Sequence, residues 1–263
     1  MKKMEFRFSS RLTFSASVTN HAFLLRCLPR SAKGQELVSH TARILLGRVS
    51  MDSLPEGRDA FGNTTIAGWM AEEHDSFSYE ASGLVVRDDQ KKEREGCPPC
   101  YRYDSLMTKP SSEMDEFARR IGLAGKPLED AERIAEAVHA WFSYVPGTTD
   151  VHTTAAEAFH GRLGVCQDYA HVFISLARMA GIPARYVCGL PKGEGATHAW
   201  AEVWQDGIWY GYDPTRGCHT DERYISLAVG RDYGDCPTER GVFKGNAFQT
   251  QQSFMQVAEG GVL

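Results

Sequence analysis

The chain has 263 residues, enough for two domains, and its content of 42% hydrophobic and 24% charged residues is typical of a globular protein. A formal net charge of -5 argues against a nucleic-acid partner. No apolar run reaches the roughly 18 residues of a membrane span, and the start lacks the apolar segment of a signal peptide. We therefore expect a cytoplasmic protein that binds neither nucleic acid nor membrane.

Short alternating stretches dominate the first 90 residues. Phe6 and Phe8 alternate with polar residues, as do Leu12 and Phe14, and turn-forming residues separate the later apolar runs. This pattern predicts several short strands and an antiparallel β-sandwich-like N-terminal domain over residues 1–105. The region shows no cluster of catalytic residue types. We expect a scaffold or accessory domain.

Residues 87–112 are charged and then rich in proline, which is typical of a linker. Cys97 and Cys100 have the C-x-x-C spacing of a metal or redox site, but no second ligand pair is evident at zinc-finger spacing, and the motif does not open a helix within a βα unit. The seven cysteines are odd in number and scattered, which argues against a disulfide framework. We expect two loop cysteines here.

The remaining residues, 106–263, form the second predicted domain, which is mainly helical at first and ends in a β segment. Helical periodicity predicts one helix near SSEMDEFARRIGLAG and another near LEDAERIAEAVHAWFSYV. Thr154 and Glu157 have the spacing of a capping box, which predicts a third, short helix.

A fourth helix is predicted to begin at Cys166 and to end before Gly181-Ile-Pro183. In its first turn, free backbone N–H groups and the helix dipole favour a thiolate. Gly164 is expected to let a substrate backbone come close. His171 lies about 140° away around the helix axis, so it is a poor partner for the thiol. A small buried cysteine remains the alternative.

A hairpin supplies the other candidate groups. Asp206-Gly207 predicts a two-residue turn that pairs Gln205 with Ile208. In this register His198 and Asp213 lie on one face as diagonal neighbours, close enough for the carboxylate to orient the imidazole. A three-residue loop would instead place Asp213 on the other face.

The stretches GVCQDYAHVFISLARMAGIPARYVCG, THAWAEVW and WYGYDPTRG resemble the bacterial transglutaminase-like superfamily, whose members are often described as cysteine proteases. PRSAKGQE and DAFGNT resemble the β-rich domain that precedes this core in bacterial members. The resemblance implies an α+β fold with a papain-like core, in which the nucleophile helix packs on an antiparallel sheet. It also implies Cys166 as nucleophile, His198 as general base and acid, and Asp213 as orienting group.

The expected reaction is acyl transfer on amide bonds of a peptide or protein substrate through a thioester. The Cys166 N–H is the expected first oxyanion donor, and Gln167, Asp168 and Trp200 are candidate cleft residues. We expect hydrolysis, with no cofactor and no metal, since no calcium loop is recognisable. The alternatives are amine transfer, a non-catalytic peptide-binding scaffold and, more remotely, a zinc protein built on Cys166 and His198.

Overall fold

The computed structural model describes residues 1–32, 34–51, 54–91 and 94–260. The strands are β1 (Lys2–Leu25), β2 (Gln35–Leu46), β3 (Val49–Met51), β4 (Glu56–Arg58), β5 (Thr64–Met70), β6 (His74–Arg87), β7 (Ser143–Tyr144), β8 (Leu163–Gly164), β9 (Ala184–Pro191), β10 (Gly193–Gly195), β11 (His198–Gln205), β12 (Ile208–Asp213), β13 (Cys218–His219), β14 (Tyr224–Gly230), β15 (Glu239–Lys244) and β16 (Gln249–Glu259). The helices are α1 (Ser112–Arg120), α2 (Pro127–Trp141), α3 (Ala155–Gly161) and α4 (Cys166–Met179).

The N-terminal part is an antiparallel sheet built around β1. Met4, Phe6 and Phe8 are buried on one face of β1, because side chains alternate along a strand. β1 is a single strand of 24 residues, where the sequence predicted several short ones. Register shifts between Thr13 and Val18, and again between Thr19 and Ala22, bend the strand without ending it. Its first half pairs with β6 and β16, and its second half pairs with β5 and β15.

The second part is an antiparallel five-stranded sheet in the order β13-β12-β11-β9-β14, with the helices packed on one face. Helix α4 lies in the middle of this layer, and every residue from Asp168 to Arg178 is buried. A helix that is covered on all sides needs apolar residues around most of its circumference, as VFISLA supplies. The helices occur where the sequence predicted them, and none in the described ranges combines the length and apolarity that a membrane crossing requires.

The two parts share both strands and core. Ile225 and Leu227 of β14, together with Leu190 of β9, pack into the N-terminal core. Strands β15 and β16 return from the end of the described chain and pair with β1. The C-terminal β segment therefore completes the N-terminal sheet, while the boundary at residue 105 stays a prediction.

Candidate active site

Cys166 is the first residue of α4 and is partly exposed. The carboxylate of Asp168 fixes this end of the helix. Its Oδ2 accepts hydrogen bonds from the Val165 N–H at 2.7 Å and from Thr149 Oγ1 at 2.7 Å. The first N–H groups of a helix lack partners within the helix, so this cap stabilises the turn that carries the thiol.

Gly164 makes room for this cap rather than for a substrate. A Cβ atom at Gly164 would stand 2.5 Å from Asp168 Oδ2, closer than any real contact. We expected Gly164 to let a substrate backbone come close. The structure gives a different reason for a glycine here, because its missing side chain leaves space for the Asp168 carboxylate. Asp168 is itself 1% exposed, so its side chain lies beneath the cleft surface. Burial raises its pKa, against the hydrogen bonds from Val165 and Thr149.

The β11–β12 hairpin has the predicted register. Gln205 pairs with Ile208 and Glu202 pairs with Gly211. Asp206 and Gly207 have φ angles of 52° and 91°, the left-handed backbone that a two-residue hairpin turn requires. His198 opens β11 and Asp213 closes β12, so the hairpin carries the two residues to the same end of the sheet.

The structure brings Cys166, His198 and Asp213 together. His198 Nε2 donates to Asp213 Oδ2 at 2.8 Å, and Cys166 lies close enough to His198 to interact electrostatically with the imidazole. Since Asp213 occupies Nε2, the ring nitrogen that remains for the thiol is Nδ1. Burial lowers the pKa of His198, but the hydrogen bond to Asp213 and the interaction with Cys166 outweigh burial and raise this pKa to about 9. The imidazolium is thus favoured at neutral pH beside the thiol.

Asp213 is fully buried and accepts four hydrogen bonds. Oδ1 accepts from the N–H groups of Thr215 and Arg216, at 3.1 and 3.2 Å. Oδ2 accepts from His198 and from the Tyr224 hydroxyl, at 2.9 Å. Sequence reasoning missed Tyr224, because β14 pairs with β9 and no hairpin register connects Tyr224 to Asp213.

The other two cleft candidates occupy different environments. Gln167 is half-buried beside Cys166, and its amide donates to the Asp150 carbonyl at 3.4 Å. Trp200 is 1% exposed and packs edge-to-face on Tyr224, with ring centroids 5.3 Å apart. Trp200 therefore lies in the interior, packed against Tyr224, and is not exposed to a substrate. This corrects the prediction that Trp200 lines the cleft surface. Tyr144, which sequence reasoning also missed, is 53% exposed; burial and the neighbouring Cys166 raise its pKa.

His171 is a core residue, and the contacts that the structure describes for its ring do not include Cys166. It is fully buried, and Nε2 accepts a hydrogen bond from the Tyr233 N–H at 3.0 Å. All seven cysteines are free, and Cys97 and Cys100 are both partly exposed. Within the ranges that the structure describes, no group of three or more His, Cys, Asp or Glu side chains is arranged to hold a metal ion.

Comparisons with protein families match two parts of the chain. Residues 115–214, which include Cys166, His198 and Asp213, match the transglutaminase-like superfamily. Residues 4–86 match the bacterial transglutaminase-like N-terminal region.

Relatives and solved structures agree with these matches. An uncharacterized protein of Mycobacterium tuberculosis is 30% identical, over 93% of this chain and 87% of its own length. One of Mycobacterium leprae is 36% identical, over 55% of this chain and 57% of that protein. A structure titled as a "Putative Cysteine Protease" from Cytophaga hutchinsonii has a TM-score of 0.75 at 21% identity, over 99% of this chain and 92% of that one. At this identity the likeness shows the fold.

Proposed function

Because the chain belongs to the transglutaminase-like superfamily, which in general comprises thiol-dependent enzymes, we propose that it is a cysteine hydrolase acting on amide bonds of peptides or protein side chains. One observation carries the proposal. Cys166, at a helix start, lies next to His198, whose Nε2 is held by buried Asp213. A nucleophile, a base and an orienting group are what covalent acyl transfer requires.

The reaction would begin with attack of the Cys166 thiolate on the amide carbonyl carbon, which forms a C–S bond and places negative charge on the carbonyl oxygen. The N–H of Cys166, in the first turn of α4, would donate to this oxyanion. His198 Nδ1 would give its proton to the leaving amine as the C–N bond breaks. Asp213 would stabilise the imidazolium and fix the ring throughout.

The second half would release the acyl group. His198, now neutral, would take a proton from water, and the hydroxide would attack the thioester carbonyl carbon. Breakage of the C–S bond gives a carboxylic acid and restores the thiolate–imidazolium pair. Tyr144 and Gln167, which lie beside Cys166, would contact the substrate.

The alkylation rate of Cys166 as a function of pH, followed by mass spectrometry, tests the ion pair. At pH 6 we expect Cys166 to react roughly tenfold or more faster than the exposed Cys218, since an imidazolium partner favours the reactive thiolate. His198→Ala should abolish this preference, whereas His160→Ala, at an exposed histidine, should keep it. Equal rates at both cysteines, or no effect of His198→Ala, would contradict the proposal.

The fate of the acyl group is tested with a proteome-derived peptide mixture and an added primary amine, with Cys166→Ala as the blank. We expect cleaved or deamidated peptides that depend on Cys166. Incorporation of the amine would identify an acyltransferase instead. The absence of any Cys166-dependent product would favour a non-catalytic peptide-binding scaffold.

A further inference from the structure

An exposed tyrosine on a short strand stands beside the candidate nucleophile. Tyr144 of β7 is paired with Gly164 of β8, two residues before Cys166, and the Val145 N–H donates to the Gly164 carbonyl at 3.0 Å. Adjacent strands are about 4.8 Å apart and two residues span at most about 7 Å, so the Cα atoms of Tyr144 and Cys166 lie within about 12 Å of each other. Burial, and then the nearby thiol, raise the pKa of Tyr144. An acyl group bound at Cys166 therefore lies close to Tyr144.

The Tyr144 ring is the outer member of an aromatic row that begins in the core. Phe142 and Tyr169 are buried, with ring centroids 4.8 Å apart. The centroid of the exposed Tyr144 ring lies 6.4 Å from that of Tyr169, and Val145, the next residue, is exposed as well. Tyr169 belongs to α4, the helix that begins with Cys166, so the row holds an apolar surface at a fixed place beside the thiol.

The polar side chains that follow β7 make their hydrogen bonds within the protein. Thr148 Oγ1 donates to the Val145 carbonyl at 2.8 Å, and Thr149 Oγ1 donates to Asp168. The Asp150 carboxylate accepts from a backbone N–H two residues further on, at 2.8 Å. The side chains of this segment that are left to contact a substrate beside the thiol are therefore mainly apolar.

The charge of the same segment argues against an acidic substrate. Residues 143–153 contain one carboxylate, Asp150, and no lysine or arginine. The hydrogen bond from the His152 N–H lowers the pKa of Asp150, so its carboxylate is ionised at neutral pH. On the other side of the site, the Arg216 guanidinium lies 3.7 Å from Asp213 and donates to the Tyr224 hydroxyl. The segment would thus repel an acidic side chain.

We propose that the acyl part of the substrate carries a large apolar side chain close to the attacked carbonyl, and that Tyr144 and Val145 select it. This inference rests on the proposed acyl transfer at Cys166. The chemistry decides what occupies the surface, because the carbonyl carbon has to come within about 3–3.5 Å of the sulfur to react. An aromatic or branched aliphatic side chain would remove the exposed ring from water, and an aromatic one would gain further from offset or edge-to-face packing.

Alkylation of the full chain by peptide chloromethyl ketones, followed by mass spectrometry, measures this preference. The Cys166 thiolate attacks the methylene carbon, a C–S bond forms and chloride leaves, so the peptide lies where an acyl group would lie. The probes are the chloromethyl ketones of acetyl-Phe-Phe, acetyl-Ala-Ala, acetyl-Lys-Lys and acetyl-Asp-Asp. Relative to the exposed Cys218, we expect Cys166 to react roughly tenfold or more faster with the Phe probe than with the Ala probe, and slowest with the Asp probe. Equal rates, or a fastest reaction with the Lys or Asp probe, would overturn the proposal.

Iodoacetamide, which carries no peptide, separates this inference from the proposed function. If Cys166 reacts with iodoacetamide at pH 6 no faster than Cys218 does, the proposed function fails. If Cys166 is the faster of the two but shows no preference among the peptide probes, the proposed function stands and the apolar selection by Tyr144 is wrong.

Variants assign the preference to the ring. Tyr144→Ser should lower the ratio of the Phe rate to the Ala rate several-fold, and this ratio does not depend on the intrinsic reactivity of the thiol. Tyr144→Phe keeps the ring and should keep the ratio. Tyr103→Ser is the matched control, because Tyr103 is exposed and follows Tyr101, whose carbonyl accepts from Arg178 near the other end of α4.

Two outcomes with these variants would overturn the proposal. One is a ratio that Tyr144→Ser leaves unchanged, and the other is a ratio that Tyr144→Phe abolishes, since the hydroxyl and not the ring would then select the substrate. If Tyr144→Ser fails to fold, the ratio in the wild type and in Tyr144→Phe still decides.

Discussion

At the scale of single residues, one carboxylate oxygen organises the candidate site. Asp213 Oδ2 accepts from His198 and from Tyr224, while the Arg216 guanidinium lies 3.7 Å from the same oxygen. Tyr224 is 3% exposed, and Arg216 donates to its hydroxyl at 3.3 Å. The Tyr224 hydroxyl and the Arg216 guanidinium therefore help to fix the carboxylate that is bonded to the imidazole. Tyr224 is thus a positioning residue in the proposed mechanism.

Tyr224→Phe tests this role. The change removes the hydroxyl and keeps the ring against Trp200, so we expect a stable protein in which Asp213 holds His198 less firmly. The rate of Cys166 alkylation at pH 6 should fall several-fold, because the imidazolium loses part of its support. Tyr103→Phe, at a tyrosine that is 68% exposed, is the matched control and should have no effect. An unchanged alkylation profile in Tyr224→Phe would show that the hydroxyl only fills space.

At the scale of elements, α4 and the β11–β12 hairpin place the site by different means. The helix begins where the Asp168 carboxylate holds Val165, and the hairpin holds its register through Asp206 and Gly207. Buried Asp168 has a raised pKa, so the folded protein binds this proton more tightly than the unfolded chain does. The contribution of this group to stability is therefore largest at low pH, below its unfolded pKa, and declines as the pH rises through the folded pKa.

The raised pKa of Asp168 predicts different effects for two variants of this residue. Asp168→Ala leaves the Val165 N–H without its acceptor and should lower the free energy of unfolding at pH 7 by about 1–3 kcal/mol. Asp168→Asn keeps an acceptor oxygen and removes the buried charge, so its stability at pH 7 should equal or exceed that of the wild type. Urea denaturation measures both. An Asn variant as unstable as the Ala variant would show that the charge itself holds the turn.

What the sequence could predict follows from how local each signal is. The start of α4 and the pairing of Gln205 with Ile208 depend on neighbouring residues, and both are confirmed. The length of β1 depends on partners as distant as β16, so alternation alone suggested separate strands. Tyr224 reaches Asp213 only through the order of strands in the sheet.

At the scale of the whole molecule, two histidines make stability depend on pH in opposite directions. His198 has a folded pKa of about 9, above its usual 6.5, so its contribution is fully present below pH 6.5 and is lost as the pH rises through 9. Burial lowers the pKa of His171 to about 4. As the pH falls, His171 therefore takes up a proton in the unfolded chain before it does so in the folded protein. The stability that neutral His171 contributes is present above pH 6.5 and is lost as the pH falls through 4.

The predicted loss of stability at low pH can be tested at His171. Between pH 7 and pH 5 its titration should lower the free energy of unfolding by about 2 kcal/mol. His171→Gln, which can still accept from the Tyr233 N–H, should be less stable at pH 7 but should lose about 2 kcal/mol less than the wild type over this range. His160→Gln, at an 83% exposed histidine, should keep the wild-type slope in urea denaturation. A variant with the wild-type slope would place the acid sensitivity elsewhere.

The pairing of β1 with β16 also determines when the N-terminal sheet can be completed during synthesis of the chain. The residues from Gln249 onward leave the ribosome more than 220 residues after Leu25, which at about 5–20 residues per second means roughly 10–45 s. Throughout that interval the edge of β1 that β16 later covers stays open, although α4 and the β11–β12 hairpin have already been synthesised. A nascent chain in this state exposes a long row of unpaired backbone N–H and C=O groups to its neighbours. Slow translation late in the message would thus favour aggregation over folding.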